Sequence, residues 1–347
     1  MSGGDEAAPA APPTPTGTRR ARSFGGVRNL IGWGVSVACL GLLAWRIDFR
    51  AAFEALKAFE WAYLLLAVLS LAFGYTMRII RWRVMLNATG ASVSVGECAA
   101  PFLGSIALNN VLPLRIGDVV RAVVFPAAIG VSRPAAIGSV AMERLVDLLT
   151  LLLCLVVGVV SQGSIELPQW LRMGAILAGC GAVTALLAII FLTAPLIRLL
   201  SRLGERFRTH PRYRALIAGS ETLLEGLQKM ASPSALGGVL GVSLLVWAGE
   251  AGLYFSMMVG GAISATPAEA LMVMAVVTLS TLVPSSPGYV GPFHLAAFAA
   301  VSLLGASADK ATSFAVLAHL AVWVPTTLAG GVALLLRPDL FRGVFRR

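Results

Sequence analysis

Long apolar runs dominate this chain, separated by short basic segments. A helix crosses a hydrocarbon core with about 20 apolar residues. Runs of roughly that length lie at residues 27–45, 61–86, 134–160, 170–194, 235–260 and 312–336, each predicting a spanning helix. Two further apolar stretches are broken. Residues 95–131 are interrupted by Asn109, Asn110, Pro113, Gly117 and Pro126, and residues 268–306 by Pro284, Pro287, Gly288, Gly291 and Pro292. In 46–60, Phe49, Phe53, Leu56 and Phe59 recur at helical spacing, with Glu54 and Lys57 opposite, which predicts a short interfacial helix. Residues 195–234 are rich in arginine but carry Leu216, Leu223 and Leu227 at helical spacing, predicting an amphipathic cytoplasmic linker.

The ends are different. Residues 1–26 are mostly Pro, Ala, Gly and Thr and are predicted to be a disordered tail. The basic stretch before the first run also fits a signal peptide. The length of the run and the lack of a small-x-small site favour a span. Residues 337–347 form a short basic tail.

Composition excludes a water-soluble protein. Charged residues make up 13% of the chain, against about 25% in soluble domains. The net charge of +10 does not point to nucleic acid, because the basic residues sit between the apolar runs, where they set orientation. With the N-terminus in the cytoplasm, most basic residues fall inside and only Arg46, Arg50, Lys57, Arg172 and Lys310 fall outside. The expected location is a bacterial inner membrane, with both termini cytoplasmic. Arg78, Arg81 and Arg83, at the end of the second run, read as a cytoplasmic anchor.

Parity then constrains the broken regions. Arg83 and Arg133 both fall inside, so 95–131 must enter and return from the cytoplasm, and 268–306 from the opposite side. The expected fold is an all-α polytopic membrane protein with about six full spans and two re-entrant half-helix pairs, from about eight to ten hydrophobic segments. Units of about 61–160 and 235–336 form an inverted repeat within a membrane domain, 27–336. Two full spans in each broken region also fit the hydropathy.

Ionisable residues inside the membrane are the candidate chemistry, because each costs about 2.5–3.5 kcal/mol at the bilayer centre even on the mildest scale. They are Arg115, Asp118, Arg121, Glu143, Arg144, Asp147 and Glu250. On a helix, Glu143 and Asp147 share a face, while Arg144 and Asp147, like Asp118 and Arg121, are three residues apart. An arginine left over by these acids suits a phosphate, because its planar fork donates two hydrogen bonds at once. The rival reading is a purely structural ion-pair network. Glu250 fits either a structural or a coupling role, and His294 reads as a hydrogen-bonded wall residue. No nucleophile, nucleotide loop or metal spacing stands out, so no catalytic residue, metal or cofactor is expected. Cys39, Cys98, Cys154 and Cys180 lie in apolar segments and read as packing residues.

Three segments carry a resemblance: NNVLPLRIGDVVRAVVFP at 109–126, ERLVDLLTL at 143–151 and PSSPGYVGPFH at 284–294. In order and spacing they resemble the lysylphosphatidylglycerol synthase transmembrane-region family of flippase-like proteins, over about 27–336. The resemblance marks Asn110, Pro113, Arg115, Gly117, Asp118, Arg121, Glu143, Arg144, Asp147, Pro284, Pro287, Gly288 and Gly291. Asp118 stands where the family usually has Glu, and His294 where many members have Glu. Fused members join this region to a soluble aminoacyl-transferase domain. The chain stops about ten residues past its last run, so lysyl transfer is not expected of it.

The resemblance implies a lipid transporter acting on an anionic, polyprenyl-linked or hopanoid-type lipid. Two rivals stand beside it. One is an integral membrane enzyme of lipid or polyprenyl-phosphate glycosylation, with Asp118, Glu143 or Asp147 as base. The other is an accessory subunit holding a partner through 195–234.

Overall fold

The computed structural model describes residues 34, 37–41, 49–161, 169–206 and 211–341. The tail 1–26, most of the expected first span and residues 342–347 lie outside the described residues. Among the described residues every regular element is a helix. In chain order these are α1 (Phe49–Lys57), α2 (Ala62–Ala88), α3 (Val95–Val111), α4 (Ile116–Val123), α5 (Arg133–Val160), α6 (Gln169–Arg206), α7 (Pro211–Met230), α8 (Pro233–Gly260), α9 (Pro267–Ser280), α10 (Pro292–Leu303) and α11 (Ala308–Leu336).

Among the described residues, helices α2, α8 and α11 are long and apolar enough to cross a membrane. At 28 residues α5 is as long as α8, but it carries Glu143, Arg144 and Asp147 near its middle. Helix α6 runs on to Arg206, past the expected end near 194, so the first part of the expected linker continues that helix and α7 forms the rest.

The two broken stretches are built alike. Each starts with a helix whose N-terminus is closed by a reciprocal cap. The Ser94 hydroxyl accepts from the Glu97 amide at 3.2 Å while the Ser94 amide donates to the Glu97 carboxylate at 2.7 Å. Thr266 and Glu269 do the same for α9, at 3.3 and 2.6 Å. Such a box ties down two of the amides that every helix start leaves without an intrahelical partner. Helices α3 and α9 run for 17 and 14 residues, and α4 and α10 for 8 and 12, all short of the roughly 20 needed to cross alone.

The breaks themselves are strained. Leu114 and Arg115 adopt φ of 65° and 52°, and Tyr289 adopts 59°, in the left-handed region that β-carbons disfavour. Gly288 and Gly291, at 73° and 100°, reach that half of the map without a β-carbon.

Helix pairing follows one scheme. The most extensive contact joins α2 to α8; α3 packs on α11, and α9 packs on α5. Close approach of α2 and α8 depends on small residues. Ser70 donates to the Gly249 carbonyl at 2.8 Å, and a β-carbon on Gly249 would stand 2.7 Å from the backbone of Gly74. In lipid, where no hydrophobic force drives helices together, such close packing is a main source of association. A large core fills the space around α8, α9 and α11, and a second forms around Trp82, Phe102 and Met142.

Replacing Gly249 with Val is expected to destabilise the fold by about 1–3 kcal/mol through overpacking. A lowered thermal unfolding midpoint in detergent would register it, and an unchanged midpoint would show that α2 and α8 can separate without loss.

Candidate functional site

Helix α5 organises the charges. Ser139, Glu143, Asp147 and Thr150 are all buried along one stripe of it. Each meets a partner from another helix. Trp82 donates its indole N–H to Ser139 at 3.0 Å, and Trp247 donates to Thr150 at 2.6 Å. Between these anchors lie the two carboxylates.

Arg121 of α4 reaches Glu143 at 2.9 Å, its guanidinium stacked over Phe102 and Trp82 at 4.6 and 5.2 Å. Arg81 of α2, fully buried, lies 2.7 Å from Asp147 and donates to Ser243 at 2.9 Å. Arg78, one turn earlier, pairs with Glu250 of α8, stands 3.9 Å from Asp147 and lies over the Trp247 ring at 4.7 Å. Arg144 touches three acids: Asp118 at 3.2 Å, Glu143 at 3.4 Å and Asp147 at 3.8 Å. Its side chain keeps 37% exposure, against 0–12% for Arg78, Arg81 and Arg121, so it is the most accessible cation of the network.

Asp118 is fixed locally. The Asn109 amide group donates to its carboxylate at 3.0 Å, while the Asp118 backbone N–H donates back to the Asn109 side-chain oxygen at 3.2 Å. This exchange needs α4 to lie tight against α3. Gly117 permits it, because a β-carbon there would strike the Ser105 carbonyl and the Asn109 side chain.

Four arginines thus face four acids, and Arg115 stands apart. Among the described residues no carboxylate forms an ion pair with it. Its Nη2 donates to the Thr281 carbonyl at 3.2 Å and to the Thr281 hydroxyl at 3.0 Å, and its guanidinium lies 5.5 Å from the Tyr289 ring centre. Through these contacts the first break touches the second. Asn110 adds a further link to α11, donating to Thr326 and Thr327 at 3.0 and 2.9 Å.

Two cavities adjoin the network. A charged chamber of about 180 Å³ is lined by Arg78, Arg115, Glu143, Arg144, Asp147 and Glu250, with aromatic walls from Tyr75, Trp247, Tyr254, Tyr289 and Trp323. A break chamber of about 350 Å³ is enclosed by Asn109, residues 112–115 and residues 281–289.

The sequence expectations divide here. Asp118, Glu143, Arg144, Asp147, Glu250 and Arg121 come together in one network, joined by Arg115 and Asn110 at its edge. The pairing of Asp118 with Arg121 three residues on is long, 3.8 Å, and Glu143 is the closer partner. The anchor reading of Arg78 and Arg81 is corrected: both turn into the protein. Only Arg83 keeps to the end of the helix, donating to the Val93 carbonyl at 3.1 Å. Asp147 and Glu250 draw the other two inward from helices distant in sequence. Pro284, Pro287 and Gly288 line the break chamber. The histidine that lines the charged chamber is His319, 2.7 Å from the Gly288 carbonyl, while His294 packs behind it with ring centres 4.6 Å apart. Asn109, which the sequence marked only as a break and not as a site residue, holds Asp118 in place.

The profile of the lysylphosphatidylglycerol synthase TM region matches residues 29–330 of the chain. The chain is also similar to Glycosyltransferase AglD of Haloferax volcanii, with 27% identity over 347 aligned residues, covering 92% of this chain and 56% of that protein. It spans about half the length of that relative.

Removing Glu143 leaves the buried Arg121 only its 3.8 Å contact with Asp118. Glu143→Ala is expected to lose about 3–5 kcal/mol of stability, whereas the double variant Arg121→Met/Glu143→Leu recovers most of it. Unfolding midpoints of the single and double variants in detergent test this, and equal loss in both would show that the pair is not the source.

Proposed function

The chain belongs to the lysylphosphatidylglycerol synthase TM-region family, and from that premise we propose that it moves an anionic, polyprenyl-linked or hopanoid-type lipid between leaflets of a bacterial inner membrane. The observation that carries this reading is Arg115, a cation without an acidic partner among the described residues, beside polar cavities within apolar helices. A lipid headgroup needs such a path, because its charge cannot pass through hydrocarbon unaided. Asn110, Arg115, Asp118, Arg121, Glu143, Arg144 and Asp147 form the polar route, in which the ion pairs hold the scaffold and Arg115 meets the headgroup.

The helix arrangement supports an inverted repeat. Exchange α2 with α8, α3 with α9 and α5 with α11, and the main pairings map onto themselves: α2 with α8, and α3–α11 onto α9–α5. The matching capping boxes and strained breaks fall at equivalent places. The short broken helices, with their breaks in contact, support two re-entrant pairs entering from opposite sides, the arrangement that builds transporter sites from interrupted helices. In this reading both termini are cytoplasmic and α7 lies on the cytoplasmic face, where it is available to a partner.

A second reading has its own support. The relative from Haloferax volcanii is named a glycosyltransferase, so Asp118 or Glu143 acting as base in polyprenyl-phosphate glycosylation is the alternative. Incubating the purified protein with polyprenyl phosphate and nucleotide sugars would reveal new lipid products if that reading holds.

For transport, vesicles reconstituted with the protein and fluorescent lipids are expected to exchange leaflets faster than empty vesicles. Arg115→Ala should reduce the rate by about tenfold or more, the scale of losing a charge-assisted hydrogen bond. A broad lipid panel that moves no faster than in empty vesicles would overturn the proposal.

A further inference from the structure

Arg115 lies in the wall shared by the two cavities, and so does Tyr289. The cavities differ in one respect that matters for an anion. The charged chamber presents the carboxylates of Glu143, Asp147 and Glu250 alongside its arginines. Among the described residues, the lining of the break chamber holds no acid, and Arg115 is its sole charged side chain. Its polar groups are Asn109, whose amide donates to Asp118 behind it, Thr281, whose hydroxyl donates to the Thr278 carbonyl, Ser286, which donates to the Val290 carbonyl, and Ser285. An oxyanion entering the charged chamber meets repulsion from three carboxylates at close range. In the break chamber it meets an arginine that no carboxylate pairs with among the described residues, beside the Ser285 hydroxyl.

We infer that the break chamber is a phosphate site, with Arg115 as its charged ligand, and that the ion-pair network beside it is scaffold rather than the place where the phosphate rests. The ligand class is a phosphate oxyanion, carried by a lipid headgroup or free in solution. The inference rests on the lipid reading above only for the choice of lipid as carrier. The strained backbone supports it. Leu114, Arg115 and Tyr289, the described non-glycine residues of the two breaks with positive φ, all line this chamber. Strain of this kind persists where surrounding structure enforces a functional geometry. Arg115 uses Nη2 on Thr281, which fixes the guanidinium across the gap between the breaks.

The test separates the two chambers by placing a charge in each. Ser285 lines only the break chamber and Thr278 only the charged one. Purified full-length protein in nonionic detergent is titrated calorimetrically with dihexanoyl phosphatidylglycerol, with inorganic phosphate and with neutral dihexanoylglycerol. Ser285→Arg is expected to tighten the phospholipid about tenfold and Ser285→Asp to weaken it about tenfold, the effect of one charge at close range in a partly screened site. Thr278→Asp should change it less than threefold. Ser285→Arg is a gain of binding, so it stands even if Thr278→Asp fails to fold.

If Thr278→Asp weakens the phospholipid while both Ser285 variants bind like wild type, the phosphate lies in the charged chamber. The inference then falls and the lipid reading survives. If inorganic phosphate binds with the expected Ser285 response and the phospholipid does not bind, the chamber is a free-anion site and the lipid reading falls instead. Equal binding of dihexanoylglycerol and the phospholipid, or no binding of either phosphate compound, overturns the inference.

Discussion

A charge held in hydrocarbon needs an opposite charge or polar groups beside it, and around Asp147 that requirement ties α5 to α2. Arg81 and Arg78 come from α2 at 2.7 and 3.9 Å, and Arg144 comes from α5 itself at 3.8 Å. Arg78 then holds Glu250 on α8, and Arg144 holds Asp118 on α4. Removing any member would strand its partners in a low-dielectric interior, so α2, α4, α5 and α8 are fixed relative to one another by charge as well as by packing. The aromatic rings over Arg78 and Arg121 add cation–π attraction where water is scarce.

That rigidity has a consequence at the breaks. Once the four acids are engaged by four arginines, Arg115 is the cation left over, and it bridges to Thr281 on the other broken stretch. The two irregular segments therefore meet each other, while Leu114, Leu282 and Val283 stay exposed. Irregular backbone is tolerated at membrane depth only where protein or water covers it, and mutual contact between the breaks supplies part of that cover. The same contact encloses the break chamber, so the feature that protects the backbone also forms a cavity.

Much of this was legible in the chain. The apolar runs matched helices α2, α5, α8 and α11 closely, because a membrane allows few alternatives to a helix of about 20 residues. The breaks were visible through Pro and Gly, which interrupt a helix, whereas Asn109 and Asn110 continue α3 to Val111 and the break follows at Leu112 and Pro113. The three family segments fell on residues that meet in space. What local spacing missed was long-range. Arg78 and Arg81 looked like an anchor because nothing near them in sequence is acidic, and His319 was passed over because its neighbours are ordinary helix residues.

Sequence alone determined the all-helical architecture, the broken stretches and most of the buried charges, though not Arg78 and Arg81, because these features depend on local composition and period. Tertiary structure alone decided which acid holds which arginine, that Arg115 beside the network has no acid paired with it among the described residues, and that two cavities of opposite character adjoin it. Those outcomes depend on helices separated by up to 172 residues, as between Arg78 and Glu250. No pattern of neighbouring residues encodes a distance of that kind, whereas close packing of α2 on α8 through Gly74 and Gly249 brings the two charges into contact.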